Sequence, residues 1–96
     1  MDVDFRAPLW RWEGEAAWYF VSLPQDVADE IEDRFGGGPG FGAVKVTVQV
    51  GSTTWSTSLF PSTHHETYLL PMKKQVRTRE HLDEGESVQV HLHIED

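Results

Sequence analysis

The chain contains no cysteine, only eight basic residues against sixteen acidic ones, and no apolar run of membrane-spanning length. Without thiols there can be no disulfide, no thiolate zinc site and no cysteine nucleophile, so stability must come from apolar burial. Small secreted domains usually depend on such staples, and their absence points to the cytoplasm. A membrane helix needs roughly 20 consecutive apolar residues, and Met1-Asp2-Val3-Asp4 is acidic where a secretory leader would be basic. No membrane partner is expected. The net charge of −8 repels a phosphate backbone over a Debye length of ~8–10 Å, which argues against nucleic acid as a partner.

The scarce basic residues are not spread evenly. Lys73, Lys74, Arg77 and Arg79 are half of them, whereas Asp26, Asp29, Glu30, Glu32 and Asp33 crowd an earlier segment. The molecule is expected to have a basic and an acidic pole. At 96 residues the chain is read as one domain, residues 1–96, large enough to fold alone but too small for a deep active site with a separate regulatory part.

One pattern occurs twice. Tyr19-Phe20-Val21-Ser22-Leu23-Pro24 is followed by Gln25 to Phe35, a glycine break, and Val44-Lys45-Val46-Thr47-Val48-Gln49-Val50. Tyr68-Leu69-Leu70-Pro71 is followed by Met72 to Leu82, Gly85, and Val88-Gln89-Val90-His91-Leu92-His93-Ile94. Two matching strand, Leu-Pro, helix, strand halves within one chain predict a mainly β fold with short helices, closed about a pseudo-twofold axis.

The individual elements follow from periodicity. Val3, Phe5, Ala7 and Leu9 alternate with polar positions in a first strand ending near Trp12, with Pro8 marking an edge or bulge and Glu13-Gly14-Glu15 the turn. The next strand runs from about Ala16 to Leu23, and its continuous apolar run, Ala17-Trp18-Tyr19-Phe20-Val21, predicts burial on both faces. Pro24 suits a helix start, and Val27, Ile31 and Phe35 form one apolar stripe. Gly36 to Gly42 breaks that helix and reads as a mobile loop at a barrel corner. Ala43 to Val50 reverses at Gly51-Ser52 into Thr53 to Phe60, the clearest hairpin, ended by Pro61.

The ordered set Gly40-Phe41-Gly42-Ala43-Val44 to Gly51, Trp55-Ser56-Thr57-Ser58-Leu59-Phe60-Pro61 and Tyr68-Leu69-Leu70-Pro71-Met72-Lys73-Lys74-Gln75-Val76-Arg77, with Trp18 to Val21 and Leu23-Pro24 before it, resembles a small bacterial family called domain of unknown function nineteen-oh-five. The resemblance covers essentially the whole chain. It implies a double-split β-barrel, an architecture shared with dimeric DNA-binding transition-state regulators and antitoxins. It brings no catalytic residues. Pro39 before Gly40, in place of a polar or basic residue, weakens an anion-binding role for that loop.

Lys73 and Lys74 stand at an expected helix start, where the macrodipole disfavours cations by about 0.3–1 kcal/mol, so a compensating anion is required. A phosphate or carboxylate ligand, joined by Arg77, is one source; the acidic segment at Asp26 to Asp33 is the other. Trp55 and Ser58 could line a cleft beside them, although such a strand more often buries Trp55 and shows its serines to water. His91 and His93 share a strand face, and with His64 and His65 would make an imidazole metal cluster; solvated polar residues beside Glu95 are the plainer reading. Trp10 and Trp12 share a face and form a candidate interaction surface, while Trp18 and Trp55 are assigned to the core.

Other motifs carry nothing. Gly38-Pro39-Gly40-Phe41-Gly42-Ala43 fits the spacing of a dinucleotide fingerprint but leaves a helix and opens a strand. No nucleophile elbow surrounds Ser56 or Ser58. The leading expectation is a bacterial, cytoplasmic, monomeric, non-enzymatic module that needs no cofactor and binds a small anionic ligand or a protein partner. Alternatives are a DNA-binding regulator by analogy of fold, and a small-molecule enzyme using a Ser/Thr-Lys cluster.

Overall fold

A computed structural model describes residues 1–14, 17–36 and 42–95. The expectations made for Glu15, Ala16 and Gly37 to Phe41 lie outside these residues. Eight elements follow one another: β1 (Asp2–Arg11), β2 (Tyr19–Ser22), α1 (Gln25–Phe35), β3 (Val44–Val50), β4 (Thr53–Ser62), β5 (Thr67–Pro71), α2 (Lys74–Arg79) and β6 (Ser87–His93). The strands close into a six-stranded antiparallel barrel in the order β1-β2-β5-β4-β3-β6.

Two long strands divide their pairing. The first part of β1, Asp2 to Pro8, lies against β6, and Leu9 to Arg11 lies against β2. Likewise Thr53 to Leu59 of β4 pairs with β3, and Phe60 to Ser62 with β5. Two sheets therefore share β1 and β4, which is the expected double-split barrel. Pro8 sits where β1 changes partner. This is where a missing backbone N–H costs the ladder least.

The register verifies the pseudo-twofold read from the repeat. The Leu-Pro alignment sets Val21 on Tyr68, whose partners are Leu9 and Pro61 respectively, so Leu9 corresponds to Pro61 and Ala7 to Leu59. Ala7 pairs with Val88, and Leu59 pairs with Val44. Val44 and Val88 are the residues that the valine strands had already matched, so the mapping closes around the barrel.

Strict alternation produces the core. Val44, Val46, Val48 and Val50 face inward with Val88, Val90 and Leu92, against Phe5, Ala7, Leu9, Val21, Leu59 and Leu70. Each fully buried aliphatic side chain contributes about 1.5–3 kcal/mol. The helices close the barrel ends, α1 through Val27, Ala28 and Ile31, and α2 through Val76 with the preceding Met72. The first helix occupies its predicted span with Pro24 as N-cap.

Three expectations are corrected. The second strand is short, and of the run from Ala17 to Val21 only Val21 is buried, while Trp18 is 56% exposed. A barrel strand has one inner face, and no helix covers the outer face here, so the run records an aromatic exterior. Pro61 does not end its strand, because Pro61 and Ser62 continue opposite Tyr68 and Thr67. The second helix is confined to Lys74–Arg79: Met72 N–H donates to Tyr19 C=O and holds the chain to the sheet, and His81 has φ 54 at the other end.

Candidate functional site: a basic cleft beside the second helix

The route from sequence to site begins at Pro71, which ends β5, and Met72, which is 2% exposed. These two anchor the chain so that Lys73 becomes the N-cap of α2 and Lys74 its first residue, both solvent-exposed. The hairpin turn at Gly51 carries β4 past the same helix. The result is an open cleft of about 710 Å³, with Trp55 and Thr54 on the β4 side and Lys73, Lys74, Thr78 and Arg79 on the other. No acidic residue is among the described residues that line it.

The helix is clamped to the hairpin at its far end. Glu80 accepts hydrogen bonds from the hydroxyls of Thr53 and Ser52. Thr53 is the buried polar residue beside the core, at 6% exposed, and its hydroxyl is fully committed to this carboxylate. Neither Lys73 nor Lys74 forms an ion pair among the described residues, and the acidic stretch of α1 pairs internally through Glu30 and Arg34 at 3.3 Å. The intramolecular source of counter-charge considered for these lysines is therefore not formed among the described residues.

Lys73, Lys74 and Trp55 come together, but two other candidates stand apart. Arg77 lies over the Tyr19 ring at 3.8 Å and donates from Nε to Met72 C=O at 3.0 Å. It faces a second cleft of about 380 Å³ shared with Trp18, Lys73 and Lys74. Ser58 lines a different cleft with Lys45, Ser56 and His93. Arg79, Thr54 and Thr78 join the first cleft without having been singled out from sequence. Arg79 was visible only as part of a cluster, since a helix of six residues shows too little periodicity to say which side each cation takes.

The histidines separate into two groups. His91 contacts Asp4 at 2.9 Å and Asp2 at 3.2 Å, and His93 contacts Asp2 at 2.9 Å and Glu95 at 3.2 Å. Hydrogen bonding to Asp4 raises the His91 pKa, and hydrogen bonding to Asp2 raises that of His93. The bond from His93 in turn lowers the Asp2 carboxyl. His65 instead stacks near Trp10 at 4.8 Å, towards the opposite end of β1. The eight steps from Asp2 to Trp10 span ~26 Å at about 3.3 Å each, so the four imidazoles do not converge. No metal-holding group of three or more His, Asp or Glu occurs among the described residues.

Trp10 and Trp12 lie on the outer face, half-buried and 40% exposed respectively, and Trp18 joins them there. The core assignment of Trp18 is thus corrected, while Trp55 packs partly against the core. No described helix is long and apolar enough to cross a membrane.

These features define a class: a double-split β-barrel whose uncompensated cations meet in one open cleft. The chain belongs to the family described as Domain of unknown function (DUF1905), whose model matches residues 5–92. None of the curated proteins compared with the chain matches it.

Proposed function

We propose that this chain is a non-enzymatic binding module and that the cleft between Trp55 and the start of α2 takes a small anionic ligand bearing phosphate or carboxylate groups. The observation that carries the reading is the pairing of Lys73 and Lys74, exposed and without a carboxylate partner among the described residues, over a cleft that no acidic residue lines. Trp55 offers a flat apolar wall, and Thr54 and Thr78 offer hydroxyls at the rim. A catalytic use is disfavoured because, among the described residues, neither an imidazole nor a carboxylate lines the cleft to serve as general base, and the Thr53 hydroxyl is held by Glu80.

In this reading the module is a monomer, since the closed barrel pairs every strand on both sides and both halves already lie in one chain. The cysteine-free composition suits a reducing bacterial cytoplasm.

Calorimetric titration with inorganic phosphate and with citrate tests the proposal. The double variant Lys73→Gln, Lys74→Gln is expected to bind at least about tenfold more weakly, equal to ~1.4 kcal/mol, with an unchanged melting temperature. Unchanged affinity would remove the cleft from consideration, and a large loss of stability would assign the lysines to a structural network.

A further inference from the structure

The outer face of the β1-β2-β5-β4 sheet carries a second apolar layer that the barrel does not need. Trp10 lies 5.3 Å from Phe20 and 5.9 Å from Trp12, and Trp18 stacks at 8° on Phe20. The β4–β5 turn folds His65 onto Trp10, and His65 is held there by Ser62 through its Nδ1 and its backbone N–H. Trp10 is fixed by its own indole N–H, which donates to Ser22 at 2.9 Å. Leu69 shows how well this layer is built: it points outward by register, opposite Ser22 and Phe60, yet is only 4% exposed. Among the described residues, the three large apolar side chains left in water, Trp12 at 40%, Trp18 at 56% and Phe60 at 47%, all belong to this face.

Size and charge select the occupant. At about 200 Å² per aromatic side chain, those fractions leave roughly 300 Å² of exposed ring. A stable dimer buries about 800 Å² on each partner, so a second copy is too large a match, whereas a few residues of extended chain suffice. The exposed rings stand on a sheet face and not along a strand edge, so recognition runs through side chains rather than strand addition. Cations gather at one end, where Trp18 shares its cleft with Lys73, Lys74 and Arg77. Beyond the other end stand Glu66 and the Asp29 and Glu32 side of α1. A strand of nucleic acid, charged at every residue, meets attraction at one end and repulsion at the other. A peptide with apolar anchors followed by acidic residues meets neither conflict.

We infer that this aromatic face is a docking surface for an extended protein segment whose apolar side chains pack on Trp12, Trp18 and Phe60 and whose acidic end reaches Lys73, Lys74 and Arg77. The surface shares Lys73 and Lys74 with the Trp55 cleft but rests on aromatic residues of its own, so the peptide and phosphate titrations separate a failure of this inference from a failure of the proposed function.

The test titrates the full chain with a synthetic twelve-residue peptide, Leu and Trp alternating with Ser in its first half and Glu in its second. The indole N–H resonances and calorimetry report binding. The expected result is a Kd tighter than about 0.5 mM that weakens about tenfold or more when Lys replaces Glu in the peptide or when Trp18→Ser is introduced. Trp18→Ser, at the most exposed of these positions, should leave the fold and the phosphate titration unchanged. Phe60→Ser gives a second, independent variant. No binding at 1 mM peptide, equal binding of the Lys peptide, preferential binding of a twelve-nucleotide oligothymidylate, or a concentration-dependent dimer that shifts the same indoles would each overturn the inference.

Discussion

Removing the Glu80 carboxylate should cost this small barrel a large share of its stability, although Glu80 lies outside the core. Its side chain receives the Thr53 and Ser52 hydroxyls and so ties the end of α2 to the β3–β4 hairpin. In Glu80→Ala the buried Thr53 hydroxyl loses its acceptor. A hydrogen bond to a charged group is worth about 1.5–3 kcal/mol, and partial exposure of Glu80 places this one near 2 kcal/mol. In a chain of this size 1 kcal/mol moves Tm by about 4–8 °C, so a fall of roughly 8–16 °C is expected. Urea and thermal unfolding followed by circular dichroism measure it. Thr53→Val alone should cost less, because Glu80 keeps Ser52 and water. In the Glu80→Ala background Thr53→Val should be neutral or stabilising, giving a coupling energy of about 1–2 kcal/mol. A loss below ~0.5 kcal/mol for Glu80→Ala, or strict additivity in the cycle, would refute the clamp.

Other perturbations probe other parts of the molecule. Gly51 has φ 58 and a Cβ there would meet the Glu80 carboxylate, so Gly51→Ala should destabilise by about 1–2 kcal/mol, and by less in Glu80→Ala; chemical unfolding reads both. Ile31→Ala, at the fully buried contact of α1 with the core, should cost about 2–5 kcal/mol, and a loss under 1 kcal/mol would mean that the helix end collapses into the space. The His91 and His93 contacts should give a pH-dependent contribution: their raised pKa values make it fully present below the ordinary imidazole value and lost as pH rises through the folded values. The lowered Asp2 carboxyl adds a contribution present above the ordinary carboxylate range and lost as pH falls through its folded value. The Tm difference between the parent and His91→Gln, His93→Gln should therefore be largest near pH 5–6 and smaller above about pH 8, and small throughout in high salt because these groups are exposed. A difference independent of pH would show that the imidazoles are not titrating against these carboxylates.

The barrel was legible because its signals have long periods. Alternating valines over seven residues fix an inner face in β3, and β6 repeats them. The two Leu-Pro marks aligned the halves well enough for the valine strands to fall in register. What failed were local inferences that depend on what covers a surface. The apolar run at Trp18 to Val21 could not be told from a doubly buried strand, since sequence does not say that the outer face lacks a helix. Pairing of His65 with Trp10 depends on a turn folding back across the sheet. The separation of Arg77 from Arg79 onto two clefts arises from one short helix whose start is fixed by Met72 bonding to Tyr19.

The repeat also bears on where function can reside. The same mapping that sets β2 on β5 and β3 on β6 sets α1 on α2, and each helix engages a tyrosine of the other half. Glu32 of α1 accepts from the Tyr68 hydroxyl, while Arg77 of α2 covers the Tyr19 ring. Burial and that hydrogen bond raise the Tyr68 pKa, so its phenol stays protonated and donating. Structural demands on the two helices are thus alike, and would be met by helices of similar charge. Instead α1 carries Asp26, Asp29, Glu30, Glu32 and Asp33, and α2 begins at two lysines and ends on arginines. A difference of charge that the shared scaffold does not require marks the positions where the halves were free to diverge. The Lys73 and Lys74 ridge, with a tryptophan cleft on each side, is where that divergence gathers the cations on which the proposed anion binding rests.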